Sequence, residues 1–184
     1  MVNCIFSNKA IDDLYPSVCK VTDKILQGQF GKTMDVIGKN LFGNLNDAER
    51  KELLDCCCKY EHIAIKENKE DITYPAVVDT IKKLSLNYKI YIVSNCQSGY
   101  IELVMEKLGL KDCITDFECF GNNGNSKGDN IKLICSRNNI QFPVYVGDTQ
   151  GDCDSCKDAG VSFIWAAYGF GNVSEGDYLF KINE

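Results

Sequence analysis

From residue 74 onward, short apolar runs alternate with stretches of helical spacing, a pattern that admits few folds other than a parallel sheet wrapped by helices. Residues 89–93, 117–120, 143–146, 161–166 and 178–182 read as strands. Residues 76–84, 100–108, 129–138 and 150–159 read as helices, the last closed by Gly160. Several of the strands are apolar throughout, as expected where helices cover both faces of a sheet. The fold class is therefore read as α/β, with a Rossmann-like parallel sheet.

The preceding residues read differently. Residues 18–27 and 32–41 carry apolar side chains at helical spacing, and Gly43 suits a C-cap after the second stretch. Asn46-Asp47-Ala48-Glu49 has the form of a capping box. A long amphipathic helix follows to about residue 68, with Leu53, Leu54, Cys57, Tyr60, Ile63 and Ala64 on its apolar face. Residues 10–72 are thus expected to form a small helical cap, and residues 73–184 the α/β core. Residues 1–9 are the exception. Val2, Asn3, Cys4, Ile5 and Phe6 read as a strand that stops at Ser7, so 1–9 is expected to supply the first core strand.

Composition narrows the function. The net charge of −6 leaves no basic stripe to neutralise phosphates, which argues against nucleic acid as a partner. No apolar run approaches the roughly 18 residues of a membrane helix, and no signal-peptide pattern opens the sequence. The eleven cysteines are odd in number and do not have the spacing of a secreted scaffold, so a cytoplasmic protein with free thiols is expected. Cys153 and Cys156 form a C-x-x-C pair. With His62 as the only histidine and no second such pair, a zinc site lacks ligands. No Trp, Gly or Pro beside the pair marks a thioredoxin-type turn.

In an open α/β sheet, ligands bind beyond the carboxyl ends of the strands. Ser94 and Asn95 follow the strand at 89–93. Gly147 and Asp148 follow the strand at 143–146, with Asp152 four positions on, and Ser126-Lys127-Gly128 opens a helix. One hydroxyl, one ammonium and two carboxylates suit phosphoryl transfer. Asp148 and Asp152 would serve a hard ion such as Mg²⁺. Lys127 would neutralise the transferring group and Ser94 would hydrogen-bond it. Taken singly, each has a plainer reading: Asp148 as a helix cap, Ser94 as a turn residue, Lys127 as a solvated charge. Tyr168-Gly169-Phe170-Gly171 reads as a glycine-rich turn.

Taken in order, these segments resemble the haloacid dehalogenase (HAD) phosphatases. Ile92-Val93-Ser94-Asn95 resembles the second motif of that family, and Lys127 before a helix resembles the third. Gly147-Asp148-Thr149-Gln150-Gly151-Asp152, followed by Lys157-Asp158-Ala159-Gly160, resembles the fourth. The subgroup resembled is that of phosphoglycolate phosphatase-like and β-phosphoglucomutase-like enzymes, which carry a helical cap. The resemblance implies phosphate binding by Ser94, Asn95 and Lys127, catalytic roles for Ser94 and Lys127, Mg²⁺ at Asp148 supported by Asp152, and a small phosphorylated metabolite as substrate. It also implies a first strand in the middle of the sheet, followed by a D-x-D motif that supplies the nucleophile and the general acid/base. Here Ser7-Asn8-Lys9-Ala10-Ile11 follows residues 2–6, and the adjacent Asp12 and Asp13 do not reproduce that spacing. Residues 2–6 are expected to fill the central position, with Ser7 near the vacant nucleophile. The expected function is a Mg²⁺-dependent phosphomonoesterase impaired or inactive for want of its nucleophile. The alternative is a non-catalytic HAD-like binding or regulatory protein.

Overall fold

In the computed structural model, which describes residues 4–69 and 72–183, contacts divide the chain into two compact units. One holds the chain through Ile90 together with Cys96–Thr115. The other holds Tyr91–Asn95 together with the chain from Asp116 onward. Residues 73–90 and 96–115, expected in the α/β core, thus group with the residues before them.

The first unit contains helices α1 (Cys4–Leu14), α2 (Asp23–Gln27), α3 (Met34–Leu41), α4 (Asp47–Glu67), α5 (Val77–Ser85) and α6 (Tyr100–Leu108). Its core gathers Ala10, Ile11, Phe42 and Leu53, all essentially inaccessible to solvent. The capping box at the start of α4 is formed as read: Asn46 accepts from the amides of Ala48 and Glu49, and Glu49 reaches back to the Asn46 amide. Gly38 lets α3 lie close on α4, because a Cβ there would fall 2.6 Å from Leu54 Cδ1.

Two sequence readings are corrected here. The first core strand expected over residues 1–9 is not formed, since Cys4–Leu14 is helical. Val2 and Asn3 lie outside the described residues. So short a run does not itself distinguish strand from helix, and its partners in the fold decide between them. Ala10 and Ile11 are buried in the helical core, Ser7 hydrogen-bonds Cys57 of α4, and the Asn8 amide pairs with the backbone of Val21 at 2.8 Å in both directions. Ser7 therefore belongs to the first unit, not to the strand-end site of the second. The second correction is that helix at 18–27 is confined to Asp23–Gln27. Asn8 holds Val21 extended, and Thr22 caps the helix by accepting from the Ile25 amide.

The second unit is the sheet. Strand β1 (Ile90–Ser94) pairs with β2 (Ile114–Cys119). Strands β3 (Val144–Gly147), β4 (Ser162–Ala166) and β5 (Phe180–Ile182) form a parallel three-stranded sheet in the order β3-β4-β5, with Val144 opposite Ser162 and Ile164 opposite Phe180. Helices α8 (Lys127–Arg137) and α9 (Gln150–Ala159) follow β2 and β3, the first after a short turn of helix, α7 (Phe120–Asn123). The core beneath them comprises Ile131, Cys153, Cys156, Phe163, Trp165 and Val173. The α/β class and the parallel sheet are as read from the sequence. Among the described residues no helix is long and apolar enough to cross a membrane.

Candidate phosphate site

Asp152 occupies the third position of α9, where its carboxylate closes a capping box with Thr149. One oxygen accepts from the Thr149 amide at 3.1 Å, the Thr149 hydroxyl at 2.8 Å and the Asp148 amide at 3.2 Å. The other oxygen meets Lys127 Nζ at 2.5 Å. Two glycines make this geometry possible. Gly147 turns the chain where a Cβ would lie 2.8 Å from Asp152 Cβ, and Gly128 lets the start of α8 approach α9, where a Cβ would lie 3.2 Å from the Ser155 carbonyl. Both partners of the ion pair are buried, with side chains 10% and 6% exposed. Burial alone would raise the Asp152 pKa, but the Lys127 charge and the hydrogen bonds from Lys127 and Thr149 outweigh it and hold the carboxyl below its ordinary value.

Asp148 stands just beyond β3. Its Oδ2 accepts from the Phe170 amide at 2.7 Å. The sequence reading of residues 168–171 as a glycine-rich turn missed this contact. A Cβ at Gly169 would overlap the Asp148 side chain, and one at Gly171 would lie 2.8 Å from the Asp148 carbonyl. The two glycines let the loop after β4 lie on Asp148. Gln150 fastens the same loop by accepting from the Ser174 amide at 2.9 Å, and Cys153 does so by donating to the Asp177 carbonyl at 3.1 Å. Among the described residues, Asp148 Oδ1 is left without a protein donor.

Ser94 and Asn95 lie at the carboxyl end of β1. The preceding residue is tied to β3, since the Tyr145 hydroxyl donates to the Val93 carbonyl at 2.9 Å. Val93 and Tyr145 also pack against the same core. Lys127 and the Asp148 amide thus meet the same carboxylate, that of Asp152, and Ser94 and Asn95 extend from a strand end fastened to β3. Neither Thr149 nor Tyr145 was singled out from the sequence, although Thr149, three residues before Asp152, carries a visible capping pattern.

The remaining acids of this unit are engaged elsewhere or exposed. Arg137 takes Asp116 at 2.8 Å and Glu118 at 3.2 Å, and Lys157 takes Asp177 at 2.6 Å. Asp129, Asp154, Asp158 and Glu175 are exposed. Among the described residues no three His, Cys, Asp or Glu side chains gather as a metal site. Asp148 offers one free carboxylate oxygen, which suits an ion shared with phosphate oxygens and water rather than one held by protein alone. Cys153 and Cys156 are free, fully buried thiols. Burial pushes Cys156 up to about 12, so it remains a thiol.

A family model described as haloacid dehalogenase-like hydrolase matches residues 6–166. The chain belongs to the haloacid dehalogenase-like hydrolase family. Solved structures with the same fold include a predicted phosphoglycolate phosphatase from Haemophilus somnus, at 18% identity and TM-score 0.79, covering 96% of this chain and 85% of that one. A predicted phosphatase from Clostridium acetobutylicum is similar at 14% identity and TM-score 0.78, covering 98% and 86%. The β-phosphoglucomutase of Clostridium difficile is similar at 16% identity and TM-score 0.73, covering 98% and 84%. No curated protein matches. The match spans Ser94, Lys127, Asp148 and Asp152, the residues on which the sequence reading rested.

Proposed function

We propose that this chain retains a phosphatase-type site that binds small phosphorylated metabolites and that, as given, it does not hydrolyse them. The observation that carries this reading is the commitment of the carboxylates. Asp152 is held by Lys127 and Thr149, and Asp148 is held on one oxygen by Phe170. Neither is therefore placed to replace the nucleophile and general acid/base that a D-x-D motif would supply, and Ser7-Asn8-Lys9 does not carry that motif. Lys127 keeps N–H donors beyond the one given to Asp152, and the Ser94 hydroxyl and Asn95 amide supply neutral ones.

Local charge makes a further demand. Lys127 is balanced by Asp152, and Asp148 adds a negative charge, so a phosphate dianion enters a site without surplus positive charge. Mg²⁺ belongs to this reading as a co-ligand shared by Asp148 Oδ1 and the phosphate oxygens. Phosphate affinity should therefore rise with Mg²⁺ concentration. The test pairs thermal unfolding in inorganic phosphate and Mg²⁺ with a p-nitrophenyl phosphate assay. Stabilisation by phosphate that is lost in Ser94→Ala, without turnover, is the expected result. Turnover abolished by Asp148→Ala would overturn the non-catalytic part of the reading. No phosphate effect in either protein would overturn the binding part.

A further inference from the structure

The sheet of the second unit is interrupted. Strand β1 forms one ladder with β2, and β3 forms another with β4 and β5. Within a ladder, backbone hydrogen bonds fix the strand spacing at about 4.8 Å. Between β1 and β3, among the described residues, no backbone pairing does so, and a side chain takes that place. The Tyr145 hydroxyl donates to the Val93 carbonyl at 2.9 Å, a contact between residues 52 positions apart. The ring that carries it is held on several sides. It stacks on Phe163 of β4, with centroids 6.4 Å apart and planes at 22°, and it packs with Val93 on one core. Gly147 leaves it room, since a Cβ there would lie 2.9 Å from Tyr145 Cε1. Burial, followed by the nearby Asp152, Cys156 and Asp148, holds the phenol well above its ordinary pKa. It therefore stays protonated and remains a donor.

We infer that Tyr145 is a positioning residue of the phosphate site, whose hydroxyl sets the end of β1, with Ser94 and Asn95, at a fixed span from the end of β3, with Asp148. The inference rests on the phosphate-binding reading above. The carbonyl that Tyr145 holds belongs to the residue next to Ser94, and Tyr145 itself stands three positions before Asp148. All of these residues lie in the second unit. Tyr145 acts through the Val93 backbone rather than on the anion. Donors already held at the span of their ligand bind it more tightly than donors that must be ordered on binding. A fixed span also selects by size, favouring phosphate over a larger tetrahedral dianion such as molybdate. In a site whose donors come from two separate ladders, a single phenol thus supplies what a continuous sheet would supply by backbone pairing.

The test is isothermal titration of the full chain with inorganic phosphate, and separately with molybdate, in Mg²⁺. Tyr145→Phe keeps the ring and removes the hydroxyl. Its phosphate affinity should be about five- to tenfold weaker than that of the parent chain, and its preference for phosphate over molybdate should narrow. Asn46→Ala, which removes a helix cap in the first unit, controls for stability alone and should keep the parent affinity and preference. Equal phosphate affinity in Tyr145→Phe, an unchanged anion preference, or the same loss in Asn46→Ala would overturn the role of Tyr145 and leave the binding reading standing. No phosphate binding by the parent chain would overturn that reading, and the role of Tyr145 with it.

Discussion

Lys127 and Asp152 form a buried ion pair in which each side chain is the other's main compensation. Removing one charge leaves the other desolvated and unpaired, which typically costs about 3–5 kcal/mol. Lys127→Met should therefore lose stability on that scale in urea unfolding, and adding Asp152→Asn should recover part of the loss. The pH dependence comes from the lowered pKa of Asp152. A carboxyl bound more weakly by protons in the folded state stabilises the fold above its unfolded pKa and loses that contribution as pH falls through its folded pKa. Urea unfolding of the parent chain and of Asp152→Asn should thus converge as pH drops below about 4. Gly169→Ala forces a Cβ into the Asp148 side chain. It should cost about 1–3 kcal/mol, the usual range for overpacking, measured by the same unfolding. At this scale the sequence showed which residues matter, because hydroxyl, ammonium and carboxylates stand at strand ends and helix starts. It did not show that the Phe170 amide would engage Asp148. That contact joins residues 22 positions apart and depends on two glycines whose role is visible only once the loop is folded.

At the scale of elements, local signals succeeded where the side chain satisfies the backbone beside it. The α4 capping box was legible because its partners are three residues apart. Asn46→Ala should cost about 1 kcal/mol, seen as a lowered thermal unfolding midpoint, with little effect on phosphate binding. Helix α9 was legible for the same reason, bounded by Thr149 and Gly160. The failures lie where distant partners decide. Cys4–Phe6 has the composition of a strand, yet it begins α1 because Ala10 and Ile11 find a buried place against α4. Residues 18–22 carry helical spacing, yet Asn8 holds Val21 extended.

At the scale of the molecule, the α/β class and parallel sheet followed from alternating periodicity, while the interrupted sheet could not be read in advance. It depends on whether residues 2–6 join β1 and β3, and over Cys4–Phe6 they do not. The family assignment brings a phosphatase-type fold, and the geometry keeps Lys127 and Asp152 paired with Asp148 alongside. The claim that joins these facts is that phosphate is bound and not cleaved. Time-resolved ³¹P NMR of p-nitrophenyl phosphate with the chain and Mg²⁺ tests both halves at once. The ester resonance should broaden in proportion to protein, the broadening should vanish in Ser94→Ala, and no inorganic phosphate signal should grow. A growing inorganic phosphate signal, or an ester line equally unaffected by both proteins, would contradict it.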